Sequence, residues 1–116
     1  MASSRVEQLK RKLDGSENAE LIMMNILEVF TESEFIPDVG NYYTFIYIPK
    51  TSDITYDEHP LVAVTAVERW GFKGINFHWG MSRNYTWQEV VGKMHVIGEN
   101  ELEYLRSLPY AKIVTK

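Results

Sequence analysis

The apolar residues of this chain change period once, and that change limits what it can fold into. Up to about residue 36 they recur every three to four positions; from Tyr42 they alternate. A chain that keeps the two periods in separate blocks builds helices beside a sheet.

The first block reads as two helices. Ser4-Arg5-Val6-Glu7 has the Ser-x-x-Glu spacing of a capping box, in which each side chain satisfies a backbone N–H of the first turn. Val6, Leu9 and Leu13 follow on one stripe, and Gly15 is the expected stop. A second helix is expected from about Glu17 to Thr31. Its stripe of Ala19, Ile22, Met23, Ile26, Leu27 and Phe30 requires an apolar partner surface. Pro37-Asp38-Val39-Gly40-Asn41 has turn chemistry and closes the block.

The second block opens on a strand from Tyr42 to Ile48, with Tyr43, Phe45 and Tyr47 on one face and Thr44, Ile46 and Ile48 on the other. Pro49 ends it, since proline cannot donate to a ladder. Lys50 to His59 reads as a loop, and Leu61 to Trp70 as a second strand, apolar on both faces over Leu61-Val62-Ala63-Val64. Gly71-Phe72-Lys73-Gly74 is the expected tight turn. A third strand then runs from Ile75 to Trp79, with Ile75, Phe77 and Trp79 on one face and Asn76 and His78 on the other. Thr86-Trp87-Gln88-Glu89 has capping-box spacing and predicts a short helix through Val90, Val91 and Met94. Asn100-Glu101-Leu102-Glu103 opens another helical stretch with Leu102, Leu105 and Leu108, Pro109 stops it, and Tyr110 to Val114 is a closing strand. The expected architecture is one α+β, mainly β domain over residues 1–116. Residues 1–36 form a helical part, and residues 42–116 a small, strongly bent antiparallel SH3-like barrel with a helical insertion.

Composition removes several chemistries. With 116 residues and no cysteine there is no disulfide, thiolate metal site or cysteine nucleophile. No apolar run approaches the roughly 18 to 20 residues that cross a bilayer, so no membrane partner is expected. The first residues lack the apolar core of a secretory signal. The net charge of -4 argues against a protein that coats nucleic acid non-specifically. The charges are segregated, however. Arg5, Lys10, Arg11 and Lys12 are followed by no Lys or Arg from Leu13 through Pro49, a stretch rich in Asp and Glu. Two solvated helix faces of opposite sign, a head-to-tail subunit contact and a local anion patch all accommodate that pattern.

Metal or acid–base chemistry would have to use Asp57, His59 and His78, with His95 as the remaining histidine. The alternative is structural: His59 precedes Pro60 in a loop and His78 hydrogen-bonds from a strand. No phosphate loop, dinucleotide fingerprint, nucleophile elbow or zinc-protease helix motif is present. The expectation is a protein with no catalytic residues, no cofactor and no metal. Nucleic-acid binding has more material. Most of the 15 Phe, Trp and Tyr residues lie between Tyr42 and Trp87, interleaved with Lys50, Arg69, Lys73 and Arg83. The candidate contacts are Lys50, Lys73, Asn76, His78, Arg83 and Tyr85, with Asn76 and His78 placed to read base edges. Against this, aromatic residues at strand spacing ordinarily form core, and Trp87 is expected to anchor a helix. Exposed sheet edges also recruit a second chain, so a homo-oligomer is expected.

The segments Tyr43-Thr44-Phe45-Ile46-Tyr47, Tyr56-Asp57-Glu58-His59-Pro60-Leu61-Val62, Trp70-Gly71-Phe72-Lys73-Gly74-Ile75-Asn76-Phe77-His78-Trp79-Gly80 and Arg83-Asn84-Tyr85-Thr86-Trp87 resemble a protein type of the T4-like phages that infect marine cyanobacteria. The order of elements, an N-terminal helix before a short bent barrel, is similar to that of the Sm-like proteins, which include bacterial Hfq. The resemblance implies a homo-oligomeric ring built by edge-strand pairing that binds RNA or single-stranded nucleic acid. It also implies a place in the cytoplasm of an infected host cell, or in the virion. The helical stretch expected between Trp87 and Leu108 is longer than the usual Sm connection. A phage structural or virion-assembly protein acting through protein interfaces is the alternative, and a metal-dependent hydrolase using Asp57, His59 and His78 is a third.

Overall fold

The structure, a computed structural model, describes residues 4–13, 18–50, 55–111 and 113–115. Helix α1 spans Ser4–Lys12 and helix α2 Ala19–Val29. The expected stop at Gly15 and the start at Glu17 lie outside the described residues. Asn18 caps α2, its Oδ1 accepting from Leu21 N at 3.0 Å. The strands are β1 (Ser33–Glu34), β2 (Tyr42–Tyr47), β3 (Thr55–Asp57), β4 (Leu61–Val67), β5 (Gly71–Asn76), β6 (Met81–Thr86) and β7 (Val90–Ile97). Helix α3 (Glu99–Ser107) and β8 (Ile113–Thr115) complete the chain.

The fold is α+β: three helices against an antiparallel six-stranded sheet of order β1-β7-β2-β4-β5-β6, with β3 and β8 forming a separate pair. The two faces of β2 divide the interior as the alternation predicts. Tyr43, Phe45 and Tyr47 join Tyr56, Val62, Val64, Phe72, Tyr85 and Met94 in an aromatic core on one side. On the other side, Tyr42 and Ile46 pack toward a cluster of Leu9, Ile22, Met23, Ile26 and Phe30 from the helical part with Leu61, Leu102, Leu105 and Tyr110. The apolar stripe of α2 thus finds its partner. Arg5 ties α1 to α3, its Nε and Nη2 donating to Glu101 at 2.9 and 2.5 Å.

The sheet is open, with β1 and β6 as its edges, yet it cannot be flat. β6 and β7 lie four strand spacings apart in the ladder, about 19 Å in a flat sheet. A single 3₁₀ turn, Trp87–Glu89, joins them. Three residues reach at most about 14 Å when fully extended, and less in a 3₁₀ turn. The sheet therefore curls until its β6 and β7 ends meet. Register shifts at Thr44/Ile46 in β2 and Val64/Ala66 in β4 supply the bends. Inside the curl, Tyr85 stacks on Phe72 at 5.2 Å and meets Phe45 and Tyr47 edge-on at 5.4 and 5.1 Å.

Three expectations are corrected here. Gly71 to Gly74 is strand, not turn; the turn lies at residues 68–70, where Glu68 N bonds Gly71 O. The third strand runs from Gly71 to Asn76 and not from Ile75 to Trp79; Phe72, Gly74 and Asn76 face inward and Ile75 faces out, so Ile75 and Asn76 lie on opposite faces as expected, while Phe77 and Trp79 lie beyond the strand. Val90 to Met94 is β-strand rather than helix, and the capping-box spacing at Thr86 yields one 3₁₀ turn. β3 within the expected loop, and its pairing with β8, are additional.

Candidate functional site

The 3₁₀ turn that closes the curl also builds a groove. It measures about 620 Å³ and is lined by Lys50, Arg69, Trp70, Thr86, Trp87, Gln88 and Glu89. Trp87 forms the fixed wall. Its ring lies 5.5 Å from Phe72, and its Nε1–H donates to the carbonyls of Glu68 and Arg69 at 3.2 and 3.0 Å. Those bonds hold the β4–β5 turn, which presents Arg69 and a Trp70 side chain 43% exposed. Trp87 N also donates to Trp70 O, so both indoles belong to one rigid corner.

Glu89 is the floor. Its nearly buried carboxylate accepts from Tyr47 Oη at 2.9 Å, from Lys50 N at 2.5 Å and from Thr86 Oγ1. Burial first, and then this hydrogen bond to a carboxylate, push the Tyr47 hydroxyl up to about 12. One carboxylate thereby fixes the segment that carries Lys50 and the turn that carries Trp87. Two indoles, a guanidinium, an ammonium and the Gln88 amide around an open groove suit a flat aromatic ring joined to an anionic group.

A second cluster lies inside the curl. The Asp57 carboxylate is buried; Oδ1 accepts from His59 N at 2.8 Å, and Oδ2 lies 3.5 Å from Asn76 Nδ2 and 4.0 Å from His78 Nδ1. Asn76 also donates to Tyr85 Oη at 3.2 Å and accepts from His78 N and Trp79 N, capping the β5–β6 turn. The His78 ring stands edge-on to Tyr110 at 4.7 Å. Burial raises the Asp57 carboxyl to about 6, against the lowering effect of its donors and of Arg83. Burial also lowers the His78 imidazole from its ordinary value. A narrow cleft of about 40 Å³ between Tyr47, Tyr56, Arg83, Asn84 and Tyr85 reaches Asp57, space for a water but not for a substrate.

The structure places five of the six candidate contacts in these two places and Lys73 in neither. Lys50 lines the groove. Arg83 bonds Thr55 O at 2.9 Å and, with Asn76, His78 and Tyr85, surrounds Asp57. Asn76 and Tyr85 are buried, so the base-reading role expected of Asn76 and the stacking role of Tyr85 have no exposed edge or face to act from. Lys73 is exposed on β5, opposite Asn84 and outside the groove. The expected trio of Asp57, His59 and His78 does not converge. His59 instead shares a 4.8 Å neighbourhood with Glu20 and Glu58, and His95 Nδ1 lies 2.7 Å from Phe30 O. Among the described residues no helix is long and apolar enough to cross a membrane. Sequence reasoning has Trp87 among the aromatic residues on which bases could stack and misses Trp70, Gln88 and Glu89 as groove residues. The pairing of Arg69 with Trp70 between two strands was the available signal. Comparison with protein families, with curated proteins and with solved structures finds no match to the chain.

Proposed function

We propose that this protein is a non-catalytic module that binds RNA or another single-stranded nucleic acid through the Trp70–Trp87 groove. One observation carries the reading: an exposed indole and a fixed indole share an open groove with Arg69 and Lys50. Bases stack on the rings, and phosphates meet the two cations. The chain is acidic overall, so binding depends on this local cation pair and not on net charge.

The finer fold reading is an SH3-like, Sm-like barrel of phage origin. The barrel part of this reading is supported by the curl, by the order β7-β2-β4-β5-β6 and by the single 3₁₀ turn between β6 and β7; the phage origin rests on the sequence resemblance alone. A homo-oligomeric ring in the infected host cell goes with this reading, and the open β6 edge is the surface available for edge pairing. Light scattering tests the ring, and a monomeric mass overturns it.

Titrating labelled oligo(U) and oligo(A) at low salt, followed by anisotropy, tests binding. Trp70→Ala is expected to weaken binding about tenfold or more. Arg69→Gln should flatten the salt dependence by about 0.7 in the log–log slope. Absence of binding at micromolar protein overturns the reading. A phage structural or virion-assembly role is the second reading, favoured by the exposed Phe35, Ile36 and Val39. Mass spectrometry of purified virions decides it: presence in the particle favours assembly, absence opposes it.

A further inference from the structure

Trp87 is not confined to one groove. That indole and Arg69 also line a second groove of about 530 Å³, whose other walls are Phe35, Ile36, Val67, Glu68, Val90 and Gly92. Phe35 is 70% exposed, and the Lys93 ammonium sits 5.1 Å above its ring. Each part of the two grooves has a cation beside a ring: Lys50 and Trp70 belong to the first, Arg69 and Trp87 to both, and Phe35, under Lys93, to the second.

We propose that the two grooves form one track for a single nucleic-acid strand, with Phe35 as a second stacking platform beyond the indole corner. The proposal rests on the nucleic-acid reading of the first groove and extends it from one nucleotide to several. The charge pattern selects the occupant. An amphiphile with one anionic head matches a track that is cationic at one end only. This track is cationic at both ends and at its middle, the pattern that suits a polyanion carrying flat apolar groups. Glu68 is the one carboxylate among the walls of the second groove.

Anisotropy with labelled oligo(U) of two, four, six and eight nucleotides tests this on the full chain. Affinity is expected to rise at least tenfold from the dimer to the hexamer. Phe35→Ala should weaken the hexamer about five- to tenfold and leave the dimer unchanged. Phe35→Trp should preserve hexamer binding, separating stacking from any loss of fold. If Phe35→Ala binds the hexamer like wild type while Trp70→Ala does not, the track is overturned and the indole groove stands. No binding at any length overturns both. Dodecanoate displacing the hexamer while phosphate at equal concentration does not would overturn the track in favour of an amphiphile.

Discussion

Gly71→Ala is expected to cost more than about 3 kcal/mol, beyond the ordinary range for overpacking, and to leave little native protein at moderate urea. A Cβ on Gly71 would lie 1.9 Å from Tyr85 O and 2.8 Å from both Tyr85 C and Thr86 Cα. These are backbone atoms of the paired strand, opposite Gly71 in the β5–β6 register, so no side-chain rotation relieves the contact. Moving β6 away would break the ladder just where the chain enters the 3₁₀ turn and Trp87 N bonds Trp70 O. Gly80→Ala is the control. Nothing lies within 4 Å of its added Cβ, and the cost is only that of a φ of +70° for a residue with a side chain, about 1 kcal/mol. Urea unfolding followed by tryptophan fluorescence measures both. A Gly71→Ala protein within about 1 kcal/mol of wild type would mean that the β5–β6 approach is looser than described.

The same glycine explains part of what the sequence concealed. Gly-Phe-Lys-Gly carries turn chemistry, and two glycines three apart ordinarily mark a reversal. Here Gly71 and Gly74 serve close approach: a Cβ on Gly74 would meet Val62 Cγ1 at 2.2 Å. Taking the segment as a turn delayed the strand by four residues and hid its inward face. That face also carries a polar residue. Asn76 is buried because Asp57 and Tyr85 take its amide and the β5–β6 turn takes its carbonyl, so apolar alternation pointed to Ile75 instead. The helices were legible because their stripes are local and unbroken. So was β2, whose odd and even residues separate the two cores. The β3–β8 pair was not, because it joins segments more than fifty residues apart with weak local patterns. At the site, Lys50 was legible as a cation among aromatic residues. Trp70, and the pairing of Trp87 with it, were not, since their groove exists only once the sheet curls and the capping-box residues at Thr86 stop after one turn.

The stability of this protein is expected to depend on pH through the buried Asp57–His78 pair, and Asp57→Asn should expose the dependence. The Asp57 carboxyl titrates at about 6 in the fold instead of 3.8, so between those values the folded state binds more protons than the unfolded one. Stability contributed by Asp57 therefore falls as pH rises through this window, by about 3 kcal/mol in all. His78 acts in the opposite direction. Its imidazole is lowered by burial, so protonation favours the unfolded chain, and stability is lost as pH falls below 6.5. Asp57 faces the His59 N–H, the Asn76 amide, the Trp79 side chain, the Arg83 guanidinium and the Tyr85 hydroxyl, and His78 faces the Leu105 and Leu108 backbone, the Tyr110 ring and the Arg106 guanidinium. The two limbs overlap between about pH 4 and pH 6 and oppose each other there, so the wild-type profile is shallow and the single substitutions separate its parts. Asparagine keeps an acceptor for His59 N but cannot ionise. Relative to wild type, Asp57→Asn should gain about 3 kcal/mol between pH 4 and pH 7, whatever its offset at pH 4. His78→Gln should remove the acid limb and leave the alkaline one. Urea unfolding at half-unit pH intervals reads both limbs. A difference between Asp57→Asn and wild type that stays flat within about 1 kcal/mol would show that the carboxylate is solvated in the fold, and that the cleft beside Arg83 admits enough water to hold the charge.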